Sequence, residues 1–397
     1  MKNVLPIIVI AQFFCTSLWF AGNAIILDII KDLNLEPNFL ANVTSAVQFG
    51  FIIGTLFYAV FAIADRISSS KVFFISAVLA GIFNLGIVVN TNDANEILLL
   101  RFLTGFFLAG IYPVGMKIAS DYYDTKLGKS LGYLVGALVL GTAFPHLLKT
   151  FTIGLPWKYV LYATSSLSVL GGFAILLFVP DGPFRKIGQK LKFMAFLSGF
   201  KNKTFRAAAF GYFGHMWELY TFWAFVPIIL NTYNSHHPNT NLNVSLFSFL
   251  IIGFGGIACV ISGLLSQRFG TKKIASLWLF ISGLCCLTAP LFLKSFSPIL
   301  LLSFLFLWGF VVIADSPLLS TLVAQSAPSE TKGTSLTIVN CIGFSITIIS
   351  IQCITFLSEK INYPYFYVIL AIGPIIGFIA LYKNLKIKSL YTKKVLN

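Results

Sequence analysis

Charged side chains are scarce in this sequence. Only 10% of its 397 residues are Asp, Glu, Lys or Arg, whereas an average soluble domain carries roughly 25%. Hydrophobic residues make up 57% of the chain, and its mean hydropathy is +0.87. A soluble fold cannot hide that much apolar side chain. The composition therefore excludes a soluble enzyme and a disordered chain, and it indicates a polytopic membrane protein.

Cysteine and histidine are also few, with six and four residues. All six cysteines lie within apolar stretches and none has metal-ligand spacing, so we interpret them as small hydrophobic residues and expect no metal site. The chain has no Gly-x-x-x-x-Gly-Lys-Ser/Thr loop and no His-Glu-x-x-His motif. We therefore expect no ATPase, no enzyme activity and no cofactor.

Long apolar runs occupy most of the chain. Twelve of them approach or exceed the roughly 20 residues that a helix needs to cross a bilayer, and a helix satisfies the backbone of an isolated run in lipid. The predicted spans are 5–30, 39–63, 72–90, 96–118, 127–149, 156–179, 204–232, 244–267, 272–293, 297–326, 331–358 and 363–383. We expect the first run to be retained as a helix, because it is longer than the core of a signal peptide.

Positive charge is distributed unequally between alternate loops. If the N-terminus is cytoplasmic, 22 of the 28 Lys and Arg residues lie on the cytoplasmic side, five lie outside and Arg101 lies within a span. This bias predicts a multi-pass protein of a bacterial inner membrane with both termini cytoplasmic. It also explains the net charge of +15 without a nucleic-acid partner.

The two halves of the sequence resemble each other. Gly105 and Pro113 of the fourth span recur as Gly309 and Pro317 of the tenth, at an offset of 204 residues. A duplication of this kind predicts two pseudo-symmetric bundles of six helices with a substrate path at their interface. The predicted organisation is an N-terminal bundle at 1–180, a cytoplasmic linker at 181–203 and a C-terminal bundle at 204–397.

Two short loops, after spans two and eight, carry related sequences. The ten residues from Gly263 to Lys272 fit the pattern Gly-x-Leu-Ala-Asp-Arg-x-Gly-Arg-Lys at five positions, and the first loop keeps its Asp65-Arg66 pair but neither glycine. Span four contains Arg101-Phe-Leu-Thr-Gly. These motifs resemble those of the major facilitator superfamily. The resemblance implies an all-α membrane protein with twelve transmembrane helices in two six-helix bundles, working by alternating access.

Ionisable residues within the spans are candidate functional residues, because charge at membrane depth is costly. His215 and Glu218 are three residues apart and share a face of span seven, where they form either a coupling site or a satisfied structural pair. The predicted proton-coupling residues are Glu218, Asp315 and Asp28. Asp315 could instead bond backbone groups freed by Pro317.

Span one carries a polar and aromatic stripe that a lipid-facing helix does not need. Arg101 permits an anionic substrate, but also a salt bridge to Asp28 or Glu218, or the proton-relay role that the resemblance implies. The predicted substrate contacts are Trp19, Asn23, Arg101, Tyr112, His215 and Asn340. The loop charges Asp65, Arg66 and Arg268 are the predicted conformational latch, although they could simply set topology.

These features together predict a secondary active transporter. We expect it to move a small solute by alternating access, coupled to protons, and to import a small organic anion as a monomer in the bilayer. The alternatives are a proton-coupled exporter of drugs or hydrophobic metabolites, and a membrane sensor that transports nothing.

Overall fold

The protein is all-α in the part of the chain that the structure describes. The computed structural model describes residues 4–36, 38–89, 93–123, 127–152, 154–185, 199–327 and 332–395, and every regular element in these ranges is helical. Helices are the expected form, since an apolar segment in lipid must satisfy its backbone groups internally.

The helices of the first half follow the predicted spans, with two spans divided. They are α1 (Val4–Thr16), α2 (Ala21–Ala24), α3 (Ile26–Asp32), α4 (Phe39–Val60), α5 (Ile63–Arg66), α6 (Ser69–Gly86), α7 (Ala94–Leu108), α8 (Tyr112–Tyr122), α9 (Leu127–Phe151) and α10 (Lys158–Phe178). The predicted first span thus comprises three short helices, and the predicted fourth span comprises α7 and α8.

The helices of the second half are longer on average. They are α11 (Lys203–His236), α12 (Val244–Phe269), α13 (Thr271–Leu293), α14 (Pro298–Ala314), α15 (Ser316–Ser326), α16 (Lys332–Ser358), a 3₁₀ segment (Tyr365–Ala371) and α17 (Ile372–Val395). Ten segments of the described chain are long and apolar enough to cross a membrane. The other two predicted spans correspond to α1–α3 and to α11, which are not among these ten, so the count of twelve stays a prediction.

The chain divides into two compact units. Unit 1 comprises Met1–Lys190 and Ala224–Gly256, and unit 2 comprises Leu191–Trp223 and Ile257–Asn397. Each unit therefore includes one part of α11 and one part of α12. The predicted linker falls largely on residues 186–198, which lie outside the described residues.

Both halves interrupt their fourth span at corresponding positions. The first interruption separates α7 from α8 at residues 109–111, and the second separates α14 from α15 at Asp315. Pro113 and Pro317 occupy the second position of the helix that follows, where proline has no backbone bond to lose. The prolines therefore begin new helices, and the repeat seen in the sequence recurs in the helix bounds.

Helices α4 and α7 of unit 1 approach each other backbone to backbone. A Cβ added at Gly50 would lie 1.9 Å from the carbonyl oxygen of Phe102, and one added at Gly105 would lie 1.9 Å from that of Val47. Small residues permit such close contact between helices in membranes. Glycine at these two positions is therefore required by packing.

Adding one methyl group at this contact should destabilise the protein. We expect Gly105→Ala to lower the free energy of unfolding by about 1–3 kcal/mol, because the backbones must separate to admit it. Gly136→Ala is the matched control, since nothing lies within 4 Å of a Cβ at that helical glycine. Thermal unfolding of the two purified variants tests this, and equal stability of both would contradict it.

Candidate functional site

Glu218 on α11 is buried in unit 2 and is held by hydrogen-bond donors. Its side chain is 1% exposed. It accepts from the hydroxyl of Ser282 at 2.6 and 2.7 Å, from the indole Nε1 of Trp308 at 2.6 Å and from the thiol of Cys286 at 3.1 Å. In the described part of the chain no Lys or Arg pairs with it. The carboxyl group is therefore fixed in position while its charge has no counter-ion.

His215 lies one turn away on α11 and contacts a second carboxyl group. Its Nδ1 is 2.8 Å from Oδ1 of Asp315, and both side chains are almost fully buried. Asp315 occupies the interruption between α14 and α15 and also acts electrostatically on Glu218. Unit 2 thus brings together the two predicted coupling carboxyl groups and an imidazole. Of the alternatives that the sequence left open, His215 and Glu218 do not pair with each other, and each has partners on other helices.

Tyr212 extends this group along the same helix. Its hydroxyl donates a hydrogen bond to Oδ1 of Asn340 on α16. With three-residue spacing, Tyr212, His215 and Glu218 share one face of α11. Asn340, a predicted substrate contact, therefore contacts this face of α11 through Tyr212.

Sequence reasoning missed three donors in this group. Ser282 and Cys286 are four residues apart on α13, and Trp308 lies on α14. The four-residue spacing of Ser282 and Cys286 puts both on one helix face, and this spacing was the sequence signal that could have identified them as donors. Cys286, interpreted from the sequence as a small hydrophobic residue, acts here as a thiol donor.

Arg101 in unit 1 binds main-chain carbonyl groups where the first span is interrupted. Its side chain is fully buried. The guanidinium donates to the carbonyl oxygens of Leu18 at 3.1 Å and Trp19 at 2.6 Å, and to Oδ1 of Asn84 at 3.1 Å. These two carbonyl groups follow the C-terminus of α1, where a cation is favoured by the helix dipole. The guanidinium therefore stabilises the break in the first span.

Asp28 and Asn23 lie at a separate cavity in unit 1. Asp28 forms an ion pair with Lys149 of α9, so a salt bridge from Arg101 to Asp28, one of the alternatives that the sequence left open, does not form. The cavity measures about 120 Å³, and its lining includes Asn23, Asp28, His146 and Lys149. Asn23 and Asp28, both predicted site residues, thus line the same cavity as His146 and Lys149, which the sequence had not paired with them.

Two further predicted contacts lie apart from this cavity. Trp19 is buried, and its ring is 4.7 Å from that of Phe51. Tyr112 is the first residue of α8, directly after the interruption at 109–111. Neither residue lines the cavity.

The predicted latch residues have different environments. Asp65 pairs with Lys117 of α8 at 3.1 Å, and Lys117 also lies 3.5 Å from Asp121. Arg66 is exposed, and the exposed Arg268 lies 5.3 Å from the ring centroid of Phe269. The structure therefore ties Asp65 to the fourth span of its own unit, while the role of all three residues as a latch stays a prediction.

Arg185 reinforces the loop that contains Asp65. Its guanidinium donates to the carbonyl oxygens of Asp65 at 3.2 Å and Ile67 at 2.8 Å, and it pairs with Asp181 at 2.6 Å. The segment that follows α10 is thereby attached to the C-terminal end of α5.

One spacing found in serine hydrolases occurs in the chain, from Gly128 to Gly132 as Gly-Lys-Ser-Leu-Gly. In hydrolases this pattern forms a sharp turn between a strand and a helix. Here it lies within the continuous helix α9, which offers no such turn. The described residues also contain no group of three His, Cys, Asp or Glu side chains that could hold a metal ion.

The long apolar helices indicate a multi-pass membrane protein. The sequence profile of the Major Facilitator Superfamily matches residues 8–351 and 208–392, and the chain belongs to this superfamily of transporters. A crystal structure of a POT family transporter in complex with thioalcohol conjugated peptide has the same fold, with a TM-score of 0.78 over 96% of each chain at 14% identity. No curated protein sequence matches the chain.

Removal of the buried guanidinium should destabilise unit 1. We expect Arg101→Ala to lower the free energy of unfolding by about 3 kcal/mol or more, since two buried carbonyl groups and an amide lose their donors at about 1–3 kcal/mol each. The control is Arg66→Ala, an exposed position at which we expect a change of about 0.5 kcal/mol at most. Thermal unfolding in detergent measures both, and a native-like Arg101→Ala would contradict the assignment.

Proposed function

We propose that this transporter is a proton-coupled secondary active transporter that moves a small solute by alternating access. The observation that carries the proposal is the group of Glu218, His215 and Asp315, three ionisable side chains buried together in unit 2. The group includes no Lys or Arg from the described residues. A proton is therefore the simplest charge that can compensate its carboxylates.

Burial supplies the physical link between proton binding and conformation. An ionised carboxylate away from water is unfavourable unless it is paired or well hydrogen-bonded. Glu218 has three donors but no cation, so its neutral form suits the closed surroundings seen here and its charged form suits contact with water. A conformational change that hydrates Glu218 would release a proton, and its reversal would take one up.

The His215–Asp315 contact gives this group a second exchange site. At 2.8 Å the imidazole and the carboxyl group are within the distance of a charge-assisted hydrogen bond. A proton arriving at either partner changes the net charge of the pair. We propose that Glu218 and Asp315 are the proton-coupling residues of unit 2 and that His215 positions Asp315.

The finer features of the function remain proposals supported by the sequence. Import of a small organic anion was predicted from Arg101, whose guanidinium donates to main-chain and amide acceptors, and it stays a proposal. The charge bias of the loops supports an inner-membrane location with both termini cytoplasmic. No contact among the described residues favours the exporter alternative.

Replacement of Glu218 should uncouple transport from the proton gradient. In liposomes with an imposed pH gradient, we expect Glu218→Gln to reduce accumulation of a transported solute at least tenfold, because the amide keeps the shape but binds no proton. Exchange of labelled for unlabelled solute without a gradient should persist. The measurement is uptake of radiolabelled small carboxylic acids and amino acids.

Glu359→Gln is the matched control, because Glu359 is an exposed carboxyl group of unit 2. It should accumulate solute as the native protein does. Native uptake that is indifferent to the pH gradient would indicate a uniporter and overturn proton coupling. Ligand binding with no flux in any condition would favour the sensor.

A further inference from the structure

We propose that Glu218 takes up its proton on Oε2, and that Ser282 is the positioning residue whose hydroxyl serves both charge states of this carboxyl group. The inference rests on the proposed function only in making Glu218 a group that exchanges a proton with water. It adds the atom that holds the proton and the side chain that accepts its hydrogen bond. All the residues concerned belong to unit 2.

The two oxygens of the Glu218 side chain have different surroundings. Oε1 lies 2.6 Å from the indole Nε1 of Trp308 and 3.1 Å from Sγ of Cys286. Among the described residues, the hydrogen-bond partner of Oε2 is the hydroxyl of Ser282 alone, at 2.7 Å. The carboxyl group is therefore asymmetric, since one oxygen faces an indole and a thiol while the other faces a hydroxyl group.

Trp308 disfavours Oε1 as the proton site. An indole N–H donates a hydrogen bond but cannot accept one, so a proton on Oε1 would set two hydrogens against each other across 2.6 Å. The indole is fully buried, and its ring lies 4.5 Å from that of Phe222 and 5.5 Å from that of Phe304. Packing thus holds the N–H toward Oε1, and the proton is left with Oε2.

Ser282 lies almost equally close to both carboxyl oxygens. Its Oγ is 2.6 Å from Oε1 and 2.7 Å from Oε2. A hydroxyl group has one hydrogen to donate and lone pairs that accept. It donates to the ionised carboxylate, and it accepts from the Oε2–H group of the neutral acid while its own hydrogen turns toward Oε1. Both charge states are therefore satisfied without displacing a heavy atom.

The hydroxyl of Ser282 is also free of its own helix. Ser276, one and a half turns earlier on α13, donates to the carbonyl oxygen of Lys272 at 2.9 Å, as helical hydroxyl groups often do. Ser282 is 1% exposed, and Glu218 is its one hydrogen-bond partner in the described chain. No backbone carbonyl therefore competes for its hydrogen when the hydrogen bond reverses.

Other ionisable groups act on the charge of Glu218 rather than on the choice of oxygen. Asp315 and Cys285 interact with it electrostatically, and His215 contacts Asp315. Within the described residues, none of these three side chains forms a hydrogen bond with Glu218. Their charges bear on whether the proton is present, whereas the donors and the hydroxyl group decide which oxygen holds it.

Infrared spectra of the purified full-length protein test the assignment without any substrate. Subtracting the spectrum of Glu218→Gln, at acidic and at alkaline pH, isolates the C=O band of the Glu218 acid and, in heavy water, its O–D band. We expect Trp308→Phe to move the C=O band to higher frequency, because the carbonyl oxygen Oε1 loses a donor, and to leave the O–D band in place. If Trp308→Phe fails to fold, Cys286→Ala should move the C=O band in the same direction.

Substitutions at Ser282 test the other oxygen. Ser282→Ala should move the O–D band to higher frequency, because the group on Oε2 loses its acceptor. Ser282→Thr keeps the hydroxyl and should restore the native O–D band, which a loss of packing alone would not predict. Ser276→Ala is the matched control, because it removes a buried hydroxyl from the same helix without touching Glu218, and both bands should stay at their native positions.

The possible spectra separate this inference from the proposed function. A C=O band that the indole and thiol variants both leave unshifted, or an O–D band that Ser282→Ala leaves unshifted, would overturn the inference while leaving proton coupling intact. An acid band of equal strength at every pH would contradict proton exchange by Glu218, although its shifts in the variants would still locate the proton. A Glu218 with no acid band at any pH would contradict both.

Discussion

Backbone hydrogen bonding in apolar surroundings is the constraint on which this structure depends. A helix satisfies its own backbone, so a spanning segment can be interrupted only where other groups take over the freed carbonyl and amide groups. In unit 1, Arg101 donates to the carbonyl groups of Leu18 and Trp19 at the break in the first span. The break and the buried cation therefore depend on each other.

The second half uses its interruption for different chemistry. Asp315 lies between α14 and α15 and faces His215, whereas the matching break in the first half, at 109–111, has no ionisable residue. In unit 2 the fourth span of the repeat also supplies Trp308, which donates to Glu218. The fourth span of each half thus supports the first span of that half. In unit 1 it does so through the Arg101 cation, which binds backbone carbonyl groups. In unit 2 it does so through the neutral indole of Trp308, which binds the carboxyl group of Glu218.

The partners of the buried charges show how far sequence could reach. Placement of Arg101, Glu218 and Asp315 within spans followed from hydropathy alone, and their burial agrees with the cost of charge in lipid. Partners of buried charges could not be deduced, because they are distant in the sequence. Ser282 and Trp308 lie 64 and 90 residues from Glu218, and Lys149 lies 121 residues from Asp28.

The sequence by itself determined the all-helical membrane fold, its superfamily, the duplication and the small set of ionisable residues inside the spans. These follow from local properties, namely apolar run length, repeated glycine and proline positions, and short loop motifs. Only the tertiary structure decided that Arg101 binds backbone, that His215 contacts Asp315, and that Asn23 and His146 lie at one cavity. Those pairings depend on which helix faces meet, and helix faces meet through packing across the whole unit rather than through any local pattern.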